Sequence, residues 1–354
     1  MRPATRVAIT AGSVVLVATL ALVIRTLTAG GVFSEVTPGF AGTCRTLSGI
    51  VGAEDLQIDA ADGLVFVSAT DRLAPPGHPA RQDGLYTLQL DHAAAGFTKL
   101  AGTPRDFHPH GLSLYRGGDG KLALMVVNHQ ASGDQAVEIF DVTVSKGAAK
   151  LVARGHIEGG ALISPNDLVA VGPEQFYVTN DHTSTSDLGK FIEGFALLPR
   201  ANVVYFDGSV FRVAASGLLL ANGINLSRDG RQVYVAQTSG RELKTYERDP
   251  YSGGLTEVGE LAIPAGPDNI DVAGDGSLWL AGHANLFAAR DRAKRAASEI
   301  FRIETVDGVP RSARPIYADA GGAISGASVG AVSGRHLFIG SALDNKVLDC
   351  TMGR

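Results

Sequence analysis

The chain has 354 residues, 45% hydrophobic and 19% charged, with 44 glycines, which is apolar material for a sizeable core cut by frequent turns and favours many short strands. A formal net charge of -5 excludes a general affinity for nucleic-acid backbones, whose binders present a basic face or stripe.

The first predicted element is an apolar helix. Arg2 and Arg6 precede an uninterrupted run of 18 uncharged residues, Val7 to Ile24, and Arg25 closes it. A spanning helix needs about 20 such residues, whereas a signal-peptide core has about 7 to 15. Residues 1–30 therefore read as a retained membrane anchor, with a cleaved signal and a buried core helix as the alternatives. Export of the remaining body, residues 40–354, is expected, either anchored at the membrane or secreted or periplasmic. An oxidising compartment makes a bond between the two cysteines, Cys44 and Cys350, the natural expectation against two unrelated buried thiols.

Short β-type runs recur along the body: Leu64 to Ser68, Leu122 to His129, Phe176 to His182, Val233 to Thr238, Leu278 to His283 and Leu337 to Ser341. Five follow a tight turn built on Gly63, Gly120, Gly230, Gly276 or Gly334, where glycine supplies the positive φ of a hairpin. Upstream of each turn a second apolar segment opens with a polar or glycine-bearing pair. These pairs are Glu54-Asp55, His110-Gly111, Asn166-Asp167, Asn222-Gly223, Asp268-Asn269 and Ser325-Gly326, the first four beginning 56 residues apart and the next two 46 and 57 further on. Units of about 50 residues made of strands and turns are the signature of a propeller. Six units predict an all-β, six-bladed β-propeller behind an N-terminal hydrophobic helix. The main departure is 187–200, where Leu188, Phe191, Ile192, Phe195, Ala196 and Leu197 can line one helical face over the channel mouth. N- and C-terminal strands sharing the last blade would shut the ring.

The innermost strand of every blade faces the axis, so residues repeating at its start converge. Five such positions carry oxygen donors: Glu54, Asn166, Asn222, Asp268 and Asn269. Two carboxylates and three amides suit calcium, which takes six to eight oxygens, better than magnesium or zinc. The competing reading is that these Asx residues cap turns. Asp55 and Asp167 follow two of the donors and would hold a second ion or be buried carboxylates satisfied by backbone donors. His110 occupies the register of the donors, where a neutral imidazole can take a proton from water. There is no P-loop or H-E-x-x-H motif.

The segments Gly52-Ala-Glu-Asp-Leu56, Phe107-His-Pro-His-Gly-Leu112, Val126-Val-Asn-His129, Asn166-Asp-Leu-Val-Ala-Val-Gly-Pro-Glu174, Thr179-Asn-Asp-His182, Ala221-Asn-Gly-Ile-Asn225 and Asp268-Asn-Ile270 resemble the paraoxonase/arylesterase family of calcium-dependent six-bladed propellers. The resemblance runs from about Cys44 to Cys350. It implies a catalytic calcium on Glu54, Asn166, Asn222, Asp268 and Asn269, and a structural calcium on Asp55, Asp167 and the Leu112 carbonyl. It also implies a His110–His129 dyad, a pocket lined by Asp181, His182 and His283, a Cys44–Cys350 disulfide and a retained hydrophobic N-terminus. The implied activity is hydrolysis of small-molecule carboxylic esters, lactones and aryl esters above all. A sugar lactonase, a strictosidine-synthase-like enzyme and a non-catalytic exported propeller that binds a partner are the alternatives. The segment from Arg72 to Gly84 lacks Phe, Tyr and Trp, unlike the aromatic rim loops of the mammalian members.

Overall fold

The computed structural model describes residues 3–74, 82–290 and 294–353, without the side chains of residues 3–12 and 290. Arg2, the side chain of Arg6 and residues 75–81 of the segment after the first hairpin thus lie outside the described residues. Helix α1, Pro3–Ala29, carries the expected apolar run. Among the described residues, no helix is long and apolar enough to cross a membrane.

From residue 39 onward the chain is strand and turn apart from short helical pieces, and among the described residues the strands make six antiparallel blades. Blade one joins Ala53–Asp59, Leu64–Ala69, Gly84–Gln89 and Thr98–Lys99. Blade two joins Pro109–Arg116, Leu122–His129, Gln135–Ser145 and Ala148–Glu158. Blade three has Pro165–Ala170, Phe176–Asn180, Ala201–Phe206 and Phe211–Leu218, and blade four has Ala221–Leu226, Gln232–Gln237, Glu242–Arg248 and Leu255–Ala262. Blade five has Gly266–Val272, Leu278–His283, Ser298–Val306 and Val309–Asp319, with Gly39–Phe40 added at its edge. Each first strand touches the first strand of the next blade, and that of blade six returns to blade one, so the ring closes around an axis.

The second strand of each blade is covered on both faces by neighbouring blades, which is why Leu64–Ala69 is buried throughout and reads as a continuous apolar run rather than an alternating one. Outer strands such as Leu255–Ala262 are mostly exposed. Six apolar clusters result, one at each blade junction. At the junction of blades six and one, Leu56, Val65 and Val67 meet Val329 and Phe338; burial of such side chains contributes about 1.5 to 3 kcal/mol each.

Blade six consists of Ala327–Ser333, His336–Ser341, Lys346–Met352 and the N-terminal Gly42–Ser48. Cys44 lies opposite Cys350 in that pairing and the two are bonded. The chain ends thus share one blade, as expected, and a chain-entropy estimate puts the bond's contribution at about 5 kcal/mol as an upper figure.

Two expectations need correction. The sixth repeat does not open at Ser325-Gly326: its inner strand begins at Ala327, and Ser325 lies before it, receiving the Ala296 amide. The helix expected over 187–200 is shorter. Helix α2, Asp187–Phe195, starts at the Ser186 cap, whose hydroxyl accepts from Gly189 N. It stops because Leu197 turns left-handed at φ 48°, after which Pro199 has no N–H to continue the ladder. A third helix, α3, spans Leu286–Arg290. Thr26 of α1 donates to Phe195 O of α2, and Leu286 N of α3 donates to Gly30 O, so the three helices meet at one end of the ring.

Candidate active site

Every one of the six inner strands breaks register at its start. The irregularities lie between Ala53 and Asp55, Pro109 and Leu112, Pro165 and Leu168, Ala221 and Ile224, Pro267 and Ile270, and Ala327 and Val329. A bulge inserts an extra residue, bends the strand and re-aims the side chains within it. The residues caught in these bulges are Glu54, His110 with Gly111, Asn166 with Asp167, Asn222 with Gly223, Asp268 with Asn269, and Ser328. Gly111 and Gly223 share this position because nothing larger fits: a Cβ on Gly111 would lie 2.2 Å from Asp167 Oδ1, and one on Gly223 2.4 Å from the Asp268 carbonyl. The inner strands therefore crowd together at one end of the axis, where the polar side chains are.

Those side chains are buried. Glu54 is 2% exposed, Asn269 1%, Asp268 5%, Asn166 7% and Asn222 8%. Asn269 Nδ2 donates to Glu54 Oε1 at 2.9 Å and to the Glu54 carbonyl at 3.1 Å, joining blades five and one. Glu54 Oε2 and the amide oxygens of Asn166, Asn222 and Asn269 are buried with no hydrogen-bond partner. Buried polar atoms without partners are costly and rare. Four at one end of the axis, all oxygens, make up a set suited to a hard cation, and oxygen-only donors suit calcium. Among the described residues no group of three or more His, Cys, Asp and Glu forms a metal site; this set fits because amides supply most of its oxygens.

Asp55 and Asp167 reach sideways into the next blade. Asp55 accepts from Leu56 N and from Leu112 N at 2.9 Å; Asp167 accepts from Leu168 N and from Ile224 N at 2.9 Å. Burial, and then the charge of Glu54, push Asp55 well above the usual carboxylate range; burial, and then the charge of Asp55, do the same to Asp167. Leu112 meets Asp55 through its amide; its carbonyl is the group the resemblance implies for an ion.

His110 and His129 are in contact, Nδ1 to Nε2 at 2.7 Å. Gln135 Nε2 donates to Gly133 O, which turns Gln135 Oε1 towards His129 Nδ1. An oxygen there can only accept, so His129 carries its hydrogen on Nδ1, its Nε2 accepts from His110 Nδ1–H, and His110 Nε2 keeps a free lone pair. That nitrogen lies 3.5 Å from Glu54 Oε1. Burial holds His129 down at about 3, and protonation of His110 would lower it further, so it stays a neutral acceptor. Burial raises the Glu54 carboxyl, but His110, Arg72 and Asn269 outweigh it and hold it at about 2.

The remaining expected residues occupy the same end. His283 Nε2 contacts Asp268 Oδ2 at 2.7 Å, and His182 Nδ1 contacts Asp181 Oδ1 at 2.8 Å. Burial pushes Asp181 up, but His182, then a hydrogen bond from Ser164 and then His110, bring it below the ordinary range. Asp181 and His182 line a small pocket with Glu193 and Leu197 beneath α2. A larger cavity of about 530 Å³, lined by Ile58, Asp271 and Val332, lies at the opposite ends of the inner strands. Sequence reasoning missed Gln135, which sets the tautomer of the dyad, and Ser328, the sixth bulge residue, which donates to the Glu54 carbonyl. The 56-residue repeat signals neither; only cross-strand pairing does.

The model of the arylesterase family matches residues 84–352. The chain is 33% identical over 333 residues to serum paraoxonase/arylesterase 1 of Rattus norvegicus, covering 90% of this chain and 92% of the relative. It is 31% identical over 322 residues to serum paraoxonase/arylesterase 2 of Homo sapiens, covering 87% and 88%. Among solved structures, a luciferin-regenerating enzyme (TM-score 0.57, 13% identity, 88% of this chain and 97% of that one) and the calcium-binding protein regucalcin of Agrobacterium tumefaciens (0.53, 15%, 89% and 96%) share its fold. With its propeller, its end-to-end disulfide and this extent of likeness, the chain belongs to the paraoxonase/arylesterase family and is an ester hydrolase.

Proposed function

We propose that the chain hydrolyses carboxylic esters, lactones and aryl esters above all, with calcium on its axis and His110 as the general base. The observation that carries this reading is the set of four orphaned oxygens beside a histidine whose free nitrogen faces Glu54. Calcium on Glu54, Asn166, Asn222, Asp268 and Asn269 would polarise the carbonyl and stabilise its developing negative charge. His110 Nε2 takes a proton from the attacking water, and its Nδ1–H remains bonded to His129, which Gln135 fixes in the accepting tautomer. Glu54 steadies the imidazolium so formed. The same nitrogen then returns the proton to the departing alkoxide or phenoxide.

Asp55 and Asp167 support a second, structural ion, because the charge of Glu54 raises the proton affinity of Asp55 and that of Asp55 raises Asp167's, a repulsion that a divalent cation would relieve. The disulfide supports export to an oxidising compartment, and the apolar run at 7–24 supports membrane contact through the leader. A panel of lactones and aryl esters, assayed with and without a calcium chelator alongside elemental analysis, tests the proposal. Hydrolysis is expected to stop on chelation and return with added calcium. Unchanged hydrolysis in chelator, or zinc at one equivalent, would refute it.

A further inference from the structure

The cavity of about 530 Å³ at the far ends of the inner strands lies away from the dyad and the orphaned oxygens. One row of side chains runs along it. Across blade five, Asp271 is paired with Trp279, Trp279 with Arg302 and Arg302 with Arg314, and residues directly opposite in antiparallel strands project from the same face. All four line the cavity, whose walls include Ile316, Val332 and Met352. Trp279 is 4% exposed and belongs to the apolar cluster between blades five and six.

Like charges directly opposite one another in a sheet destabilise the pair. Arg302 has partners: its Nη2 meets Asp275 Oδ2 at 2.9 Å and its Nη1 lies 3.3 Å from Glu304 Oε1, while its Nε is buried with no hydrogen-bond partner. Arg314 is exposed and makes no hydrogen bond or ion pair among the described residues. Asp275 does not serve it, because Ser277 takes one carboxylate oxygen and Arg302 the other. Asp271 stands at the inner end of the row with its carboxylate on Val332 N at 3.0 Å, and the Arg314 strand lies three strand spacings outward, about 14 Å at about 4.8 Å each. Arg228, Arg302 and Arg314 against Asp271 and Asp275 leave the lining with one positive charge in excess, which matches a monoanion rather than a phosphate. The volume suits a small organic ligand, and apolar walls beside the arginines suit one with a hydrocarbon body. We propose that this cavity is a second ligand site that takes an amphiphilic carboxylate, its head on Arg314 and Arg302 and its tail running inward along Trp279. The planar guanidinium fork matches a carboxylate, and the bound anion relieves the repulsion between the two facing arginines.

Trp279 is the only tryptophan of the chain, so its emission reports on this cavity and not on the axis. Hexanoate and neutral hexanamide are titrated into the full-length protein, with tryptophan emission and calorimetry recorded together. Hexanoate should bind in a single saturable step that changes the emission, and hexanamide should bind about 10-fold more weakly or worse, as expected for loss of a charge-assisted hydrogen bond. Arg314→Gln removes a side chain on which no other described group depends, so the fold should persist. Its hexanoate affinity should fall by about 10- to 100-fold, with the hexanamide affinity unchanged. Arg314→Lys, which keeps the charge without the fork, should lie between. An equal response to acid and amide, an unaltered hexanoate affinity in Arg314→Gln, or calorimetric binding that leaves the tryptophan emission unchanged would overturn the proposal, as would the absence of any hexanoate binding.

Discussion

The junctions between blades and the axis of the ring are built by the same six-fold repeat and are physically opposite. At a junction, side chains such as Phe66, Phe140 and Phe338 are fully buried among other apolar groups, and nothing beyond close packing is required. On the axis, equally buried Glu54, Asn166, Asn222 and Asn269 carry oxygens that no protein donor satisfies. The apolar region stabilises the ring, while the axis costs stability unless a cation completes it. The difference shows where this fold concentrates chemistry: the bulge at the start of each inner strand turns a structural repeat into a convergent polar centre.

The largest separation between the two regions should come from His110→Gln. General-base catalysis contributes about 10²- to 10⁴-fold, so kcat should fall by that factor while calcium content and melting temperature hold, as read by steady-state kinetics, elemental analysis and thermal denaturation. Asn222→Ala should differ, weakening calcium binding and recovering part of its rate as calcium is added. Nearly full activity of His110→Gln on every substrate of the parent would move the base to Glu54, Asp268 or His129.

Phe338→Ala probes the other region. Truncating a fully buried phenylalanine typically costs about 3 to 5 kcal/mol, which chemical denaturation should register while kcat of the remaining folded protein stays close to the parent's. A comparable loss of kcat would show that the junctions and the axis are not separable. Replacing Cys44 and Cys350 by serine should cost about 2 to 5 kcal/mol, again without loss of bound calcium.

The smallest effect is expected from Asp271, near the far end of the axis, whose carboxylate accepts from Val332 N at 3.0 Å. Burial raises it from 3.8 to about 6. Folding then favours the protonated form, so its contribution is present below pH 3.8 and is lost as pH rises through 6. The loss is on the order of 1 to 3 kcal/mol. Asp271→Asn keeps the acceptor and removes the titration, so its stability relative to the parent should increase from pH 4 to pH 8. A pH-independent difference between the two proteins would contradict this.

The helix beside the mouth shows how local signals failed. Periodicity through Leu197 predicted a longer α2, but the left-handed turn at Leu197 buries that side chain beneath the helix, at 6% exposure. Ser325 was misplaced for a related reason: a polar-glycine pair resembles the opening of a blade, whereas register with His336–Ser341 picks out Ser328.

By itself the sequence determined the number of blades, the closure of the ring and most of the convergent residues. Alternation, hairpin glycines and the spacing of Glu54, His110, Asn166 and Asn222 are local or periodic properties, written once per blade. The tertiary structure alone decided the tautomer of the dyad through Gln135 and the link that Asp83 makes between Asp71 N and His108. These join residues from different strands or blades with no common period, so only the packing of the closed ring brings them together.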